Sequence, residues 1–267
     1  MTVAADAGLL RGTVRAAACP VCGARGAGRP WRMLRGWTLE RCGACGMVHV
    51  NPAPAPEALR AAYALPKREY DRFFGTEGID SAAILDGNAP WQRAAADRYI
   101  AWLEAARGGP GRILDVGCGG GSFLLAARAR GWRTAGVDPG DWRADGARDA
   151  ELGIVRRPLL DADLPGEAFD AVFLGGVLEH LHDPRAHAER IRALLRPGGV
   201  ALVAGLPNLG SFTIRLGLDR WIGNHPPLHL MYFRRATARR LFREAGFAEI
   251  LVRSYGLSET LLEAAFG

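Results

Sequence analysis

Arg112-Ile113-Leu114-Asp115-Val116-Gly117-Cys118-Gly119-Gly120-Gly121-Ser122-Phe123-Leu124 is the stretch that decides the fold. It begins with a short apolar run containing β-branched residues, the composition of a buried parallel strand. Four of the five positions from Gly117 to Gly121 are glycine. Phe123 to Arg130 then carries a helical pattern, and Gly131 stands where helices commonly close. The unit is strand, tight turn, helix. Glycines at such a turn let the backbone bend sharply and come close to a ligand, because no Cβ stands between them. The free N–H groups and positive dipole end of the helix face the same ligand.

A dinucleotide fingerprint, Gly-x-Gly-x-x-Gly, would need its third glycine at position 122, which is Ser122. The spacing is Gly117-x-Gly119-x-Gly121, preceded by Asp115. This resembles motif I of the class I S-adenosylmethionine-dependent methyltransferases. The resemblance implies that Gly117, Gly119 and Gly121 admit the amino-acid end of S-adenosylmethionine and that Asp115 helps to hold its ammonium. Asp138 ends the second strand, Thr134 to Asp138, where a carboxylate can accept both ribose hydroxyls, as in nucleotide-binding folds. The family flanks the adenine with an apolar and an acidic residue, which implies Leu160 with Asp161, or Asp163 in its place. Phe169 to Leu174 reads as the fourth strand, and Gly175 after it is counted with the cofactor residues. The run from Phe169-Asp170-x-Val172 through Leu178-Glu179-His180 to Leu195-Arg196-Pro197-Gly198-Gly199 is similar to the ubiquinone-type O-methyltransferase subgroup. So is His229-Leu230-Met231-Tyr232-Phe233 followed by a helix to Gly246. The resemblance covers roughly Gly111 to Ser254.

The fold class expected is α/β: a doubly wound, mostly parallel Rossmann-like methyltransferase sheet, preceded by a small N-terminal zinc ribbon. Two departures stand out. Arg234-Arg235-Ala236-Thr237 replaces the subgroup's usual helix start, which weakens the cap. Ala248 to Arg253 can be a sixth strand, but Leu257 to Gly267 reads as a helix, so the seventh strand of the family sheet is expected to be missing.

Ahead of this domain stand Cys19-Pro20-Val21-Cys22-Gly23 and Cys42-Gly43-Ala44-Cys45-Gly46. Two Cys-x-x-Cys knuckles can set four thiolates tetrahedrally about one Zn²⁺, here a structural ion held by Cys19, Cys22, Cys42 and Cys45. So small a ribbon cannot bury enough surface by itself, and the metal would supply its folding energy. His49 reads as a strand residue. The expected organisation is a loose tail over 1–18, the ribbon over 19–50, a stiff Pro-rich linker and covering helices over 51–110, and the methyltransferase domain over 111–267. Tyr70, Phe73 and Phe74 are candidates to cover the cofactor or to anchor the linker.

The reaction implied is in-line transfer of a methyl group to a nucleophile. Aligning donor and acceptor can supply ~7–11 kcal/mol, and a base helps where the acceptor carries a proton. His180, at the ligand-binding edge of the sheet, is the first candidate for that base. Glu179 would orient it. His229, His182 and His225 are the alternatives, the last on the excursion from Leu206 to Leu230 that is expected to cap the pocket.

The 267 residues carry a formal net charge of +6 and 49% hydrophobic residues, enough for a sizeable core. Lys67 is the single lysine, so the positive charge is arginine. The arginines are spread along the chain, with no block of like charge standing out. The acceptor expected is a small molecule of glycan, sugar or secondary-metabolite type, with O- or C-attack open. The alternatives are an RNA methyltransferase, against which stands the want of a basic cluster and of an Asn-Pro-Pro-Tyr-type motif, and a non-catalytic cofactor-binding relative. No apolar run is long enough to span a bilayer, and the N-terminus lacks a signal-like apolar core, so no membrane partner and a cytoplasmic location are expected.

Overall fold

The computed structural model describes residues 12–63, 65, 69, 90–140, 145–211, 226–255 and 259–265. Tyr70, Phe73, Phe74 and His225 lie outside them. The N-terminal part holds strands β1 (Thr13–Val14), β2 (Gly28–Leu34), β3 (Trp37–Cys42), β4 (Val48–Val50) and β5 (Ala53–Pro54), then helix α1 (Pro56–Tyr63). Helix α2 (Pro90–Arg107) leads into the catalytic part: β6 (Arg112–Val116), α3 (Ser122–Ala129), β7 (Arg133–Val137), α4 (Gly146–Leu152) and β8 (Ile154–Val155). There follow β9 (Phe169–Gly175), α5 (Pro184–Leu194), β10 (Leu195–Pro207), β11 (Met231–Tyr232), α6 (Arg235–Glu244), β12 (Glu249–Tyr255) and β13 (Glu259–Ala265).

The main sheet has the order β12-β13-β10-β9-β6-β7-β8. From β10 to β8 every pairing is parallel. Alternate residues of its central strands feed two cores, as the two-residue period of a strand requires. Ile113, Ala171, Phe173, Leu202 and Ala204 pack beneath α2 and α3, against Ile100, Leu103, Phe123 and Leu124. Leu114, Val116, Val172, Leu174, Ala201 and Val203 face the other way, against Ile191 and Leu194 of α5 and Leu241 and Phe242 of α6. Full burial of each Val, Leu, Ile or Phe among them contributes about 1.5–3 kcal/mol. Asp170 ties the start of the sheet to its neighbours: it accepts the Arg112 N–H at 2.7 Å and the Arg107 guanidinium at 3.2 Å.

Two expectations are corrected. The seventh strand is present: β13 runs antiparallel between β10 and β12, with Val200 opposite Ala265 and Glu249 opposite the same residue. Glu-Thr-Leu-Leu-Glu-Ala-Ala has the local preference of a helix, but that preference is worth only tenths of a kcal/mol per residue. Two flanking ladders of main-chain hydrogen bonds outweigh it. Order also begins earlier than the expected loose tail allows. Thr13 and Val14 pair with Pro54 and Ala53, and the Ala16 N–H donates to Asn51 Oδ1 at 3.0 Å. At α6 the weakened start is partly made good, since Thr237 Oγ1 accepts the Arg234 N–H at 2.9 Å.

The ribbon's sheet has the order β11-β4-β3-β2. Its fourth strand, β11, comes from the catalytic part, and Met231 and Tyr232 pair with His49 and Val48. Val21, Leu39, Met47 and Val48 share one apolar core with Leu174, Tyr232 and Phe242. The ribbon is therefore built into the catalytic domain. Among the described residues, no helix is long and apolar enough to cross a membrane.

Candidate active site

At the carboxyl end of β6 the chain turns through positive φ at Gly117, Gly119 and Gly121 and enters α3. Gly117 has no substitute: its φ is +73°, and a Cβ there would lie 2.5 Å from Val177 Cγ2. Its N–H donates to Val137 O at 2.8 Å, which holds the turn against β7. The Gly119 N–H donates to Asp138 Oδ2, and the Gly140 N–H to Asp138 Oδ1, both at 2.8 Å. An ionised carboxylate has about four acceptor sites, so each Asp138 oxygen retains one for a diol. Asp115 sits beneath the turn, 3% exposed. Burial, with the nearby Asp138 charge, pushes its carboxyl well above the usual range. A cationic ligand group would reverse that shift.

Arg156, just after β8, was not expected in the site. Its guanidinium donates to Gly119 O at 2.8 Å and Gly140 O at 3.3 Å. It grips Asp149 of α4 through two bonds of 2.8 and 2.6 Å and lies 3.9 Å from Asp138 Oδ1. One side chain thus ties together the glycine turn, the turn after β7 and α4. The available signal was a charged residue directly following two strand residues, Ile154 and Val155. Leu160 and Asp161 lie in the turn that follows, both exposed.

The second half of the candidate site is built on β9, the neighbour of β6. Gly175 closes the strand, and the Gly176 N–H bonds Ala204 O on β10. A 3₁₀ turn, Leu178–His180, then carries Glu179 and His180. His180 Nδ1 lies 2.9 Å from Leu228 O, a carbonyl that can only accept, so Nδ1 carries the proton of the neutral ring. Nε2 is 3.7 Å from Glu179 Oε1. The His229 ring meets His180 edge-on, centroids 4.9 Å apart. The donor atoms of Glu179, His180 and His229 all lie within 4.8 Å of one another, a set able to bracket a hydroxyl or a cation. Burial lowers the His180 pKa to about 4, so the imidazole is neutral near pH 7. His182 is occupied elsewhere, with Nε2 on Pro54 O at 2.7 Å.

This side is coupled to the ribbon. The Leu230 N–H donates to Glu179 O at 2.8 Å, and Leu230 O accepts the Val50 N–H at 2.9 Å. In the ribbon, the Cys19 and Cys45 sulfurs are 3.6 Å apart and those of Cys22 and Cys42 3.7 Å. A tetrahedral ion with Zn–S bonds of about 2.3 Å needs sulfurs roughly 3.8 Å apart, so the four thiols fit zinc. His49 is buried in β4, outside this cluster.

A family model described as "Methyltransferase domain" matches residues 90–252. Among curated relatives, a protein named "Uncharacterized methyltransferase" from Mycobacterium sp. (strain JLS) is 31% identical over 155 residues, 57% of each chain. A ubiquinone biosynthesis O-methyltransferase from Cereibacter sphaeroides is 35% identical over 118 residues, 42% of this chain and 48% of the relative. The chain thus spans about half the length of the curated relatives it matches. A crystal structure of the Burkholderia thailandensis 1,6-didemethyltoxoflavin-N1-methyltransferase, with 1,6-didemethyltoxoflavin and S-adenosylhomocysteine bound, superposes with a TM-score of 0.56. That match has 21% identity and covers 89% of this chain and 99% of the other; at that identity it speaks for the fold.

Proposed function

The chain belongs to the methyltransferase-domain family, and on that footing we propose that it is an S-adenosylmethionine-dependent methyltransferase whose acceptor is a small molecule, methylated at oxygen or carbon. When bound, S-adenosylmethionine supplies an activated methyl group on a sulfonium. Gly117, Gly119 and Gly121 bare the backbone for its amino-acid end, Asp115 faces its ammonium, and Asp138 takes its ribose hydroxyls. Leu160 and Asp161 flank the adenine, and Gly175 closes the pocket. His180 is the base: its Nε2 takes the acceptor's proton as the new bond forms. Glu179, 3.7 Å away, then stabilises the imidazolium, which strengthens a base that burial would otherwise weaken. His229, packed edge-on, narrows the room for the acceptor. The four ribbon thiolates hold one structural Zn²⁺.

One observation carries this reading. The glycine turn and the Glu179–His180 turn leave the same edge of the sheet from adjacent strands, β6 and β9. Open α/β sheets take ligands at that edge. The test is incubation with methyl-labelled S-adenosylmethionine and two fractions of a cell extract, small metabolites and bulk RNA. Label in a small metabolite is expected. His180→Ala should cut the rate by about 10²–10⁴ and leave cofactor affinity within twofold. Label confined to RNA would overturn the acceptor class, and either unchanged turnover or a loss of cofactor affinity in His180→Ala would overturn the role of His180.

A further inference from the structure

Folding gathers charge that the sequence scatters. Between Gly12 and Val50 stand six arginines and a single glutamate, so the ribbon together with the short segment leading into it carries five net positive charges, against six for the whole chain. A zinc–tetrathiolate centre takes back two of these, but at the sulfurs rather than on the outer face. Strand β2 is the outer edge of the ribbon sheet, and six of its seven residues are exposed. The register sets Arg29 directly opposite Arg41. Like charges in that position destabilise a sheet unless a counter-charge joins them. The ribbon's one carboxylate, Glu40, is turned to Arg15 at 3.4 Å and to Asn51 at 3.1 Å. Trp31 is exposed, and with Arg29, Arg41 and the knuckle Cys42–Gly46 it lines one groove. Met33, 67% exposed, extends the apolar strip.

We infer that this outer face of the ribbon, Arg29, Trp31 and Arg41, docks a single strand of nucleic acid. Phosphates would bridge the two guanidinium groups, relieving their repulsion, and a base would stack on the indole. An acidic polypeptide answers the charge but gives the open ring no flat partner. The docking is independent of the acceptor proposed above: the strand is held on the ribbon's outer face, away from the histidine pair. The Val50–Leu230–Glu179 ladder is the direct mechanical link from this sheet to the histidine pair.

The test is fluorescence anisotropy of the zinc-replete full chain with a labelled oligouridine twelve-mer and its deoxythymidine counterpart, across a salt series. Binding of either strand is expected, weakening with salt at a log–log slope of roughly −1.4 for two phosphates. Arg29→Glu with Arg41→Glu should weaken it about tenfold or more, and Trp31→Ala about fivefold or more. Zinc content and S-adenosylhomocysteine affinity should be unchanged in both, which separates this outcome from failure of the methyltransferase reading. Three results would overturn the inference: no binding at low salt, equal binding by the variants, or equally tight binding of a labelled polyglutamate of similar length.

Discussion

Arg156→Met is the perturbation that most directly tests how the proposed cofactor seat is held. It removes two bonds to Asp149 and the donations to the Gly119 and Gly140 carbonyls. The Arg156 and Asp149 side chains are 14% and 12% exposed, so water screens the pair only slightly. Removing one partner of a buried ion pair costs ~3–5 kcal/mol, because the other charge is left without compensation. We take about 3 kcal/mol, since part of each group still reaches solvent. For a chain of this size each kcal/mol lowers Tm by about 2–4 °C, so the fall should be roughly 6–12 °C. Asp149→Asn should cost a similar amount. The double variant should lose less than the two singles together, by roughly 1–2 kcal/mol, because it leaves no unpaired charge. The two turns lose their common tie, so S-adenosylhomocysteine affinity, read by calorimetry, should fall about tenfold. Saturating ligand should restore part of the lost Tm, since it binds only the folded chain. A Tm within about 2 °C of the parent, strict additivity and unchanged affinity would refute the assignment of Arg156 as the tie.

Two further outcomes follow from buried ionisable groups. Asp115, raised by burial and by Asp138, favours the fold only below its unfolded pKa of ~3.9 and loses that contribution as pH rises toward its folded value. Asp115→Asn should therefore raise the Tm of the ligand-free protein at neutral pH while weakening S-adenosylmethionine binding; a variant that is less stable and binds normally contradicts this. Burial also holds His49 below its usual pKa and His180 at about 4, so the unfolded chain takes up protons that the fold refuses. Stability should fall as pH drops from about 6.5 toward 4, and His49→Leu, which removes two ring nitrogens without hydrogen-bond partners among the described residues, should flatten that fall in urea unfolding with excess zinc. An unchanged pH slope would show that His49 is not its source.

The legible parts of this protein were those whose chemistry is local. Gly117, Gly119 and Gly121 follow an apolar strand, and a turn of that spacing has few other uses. Four cysteines in two knuckles imply their geometry because tetrahedral sulfur ligation tolerates little variation. The seventh strand was misread for the opposite reason. Residues 259–265 have helical propensity, and the force that straightens them is main-chain pairing with β12 on one side and, on the other, with β10, which lies more than fifty residues away and outside any local window. Arg156 was passed over because its partners, Gly119, Gly140 and Asp149, come from three separate segments.

The sequence alone indicated the class of the sheet, the glycine turn and the two cysteine knuckles, since each rests on a short motif whose residues stand close together along the chain. Only the tertiary structure decided that β11 would complete the ribbon sheet, that Leu230 would join Val50 to Glu179, and that Arg29 would face Arg41. Those contacts depend on strand register and on which segments share a core, and such pairings are fixed by long-range packing once the whole chain has folded.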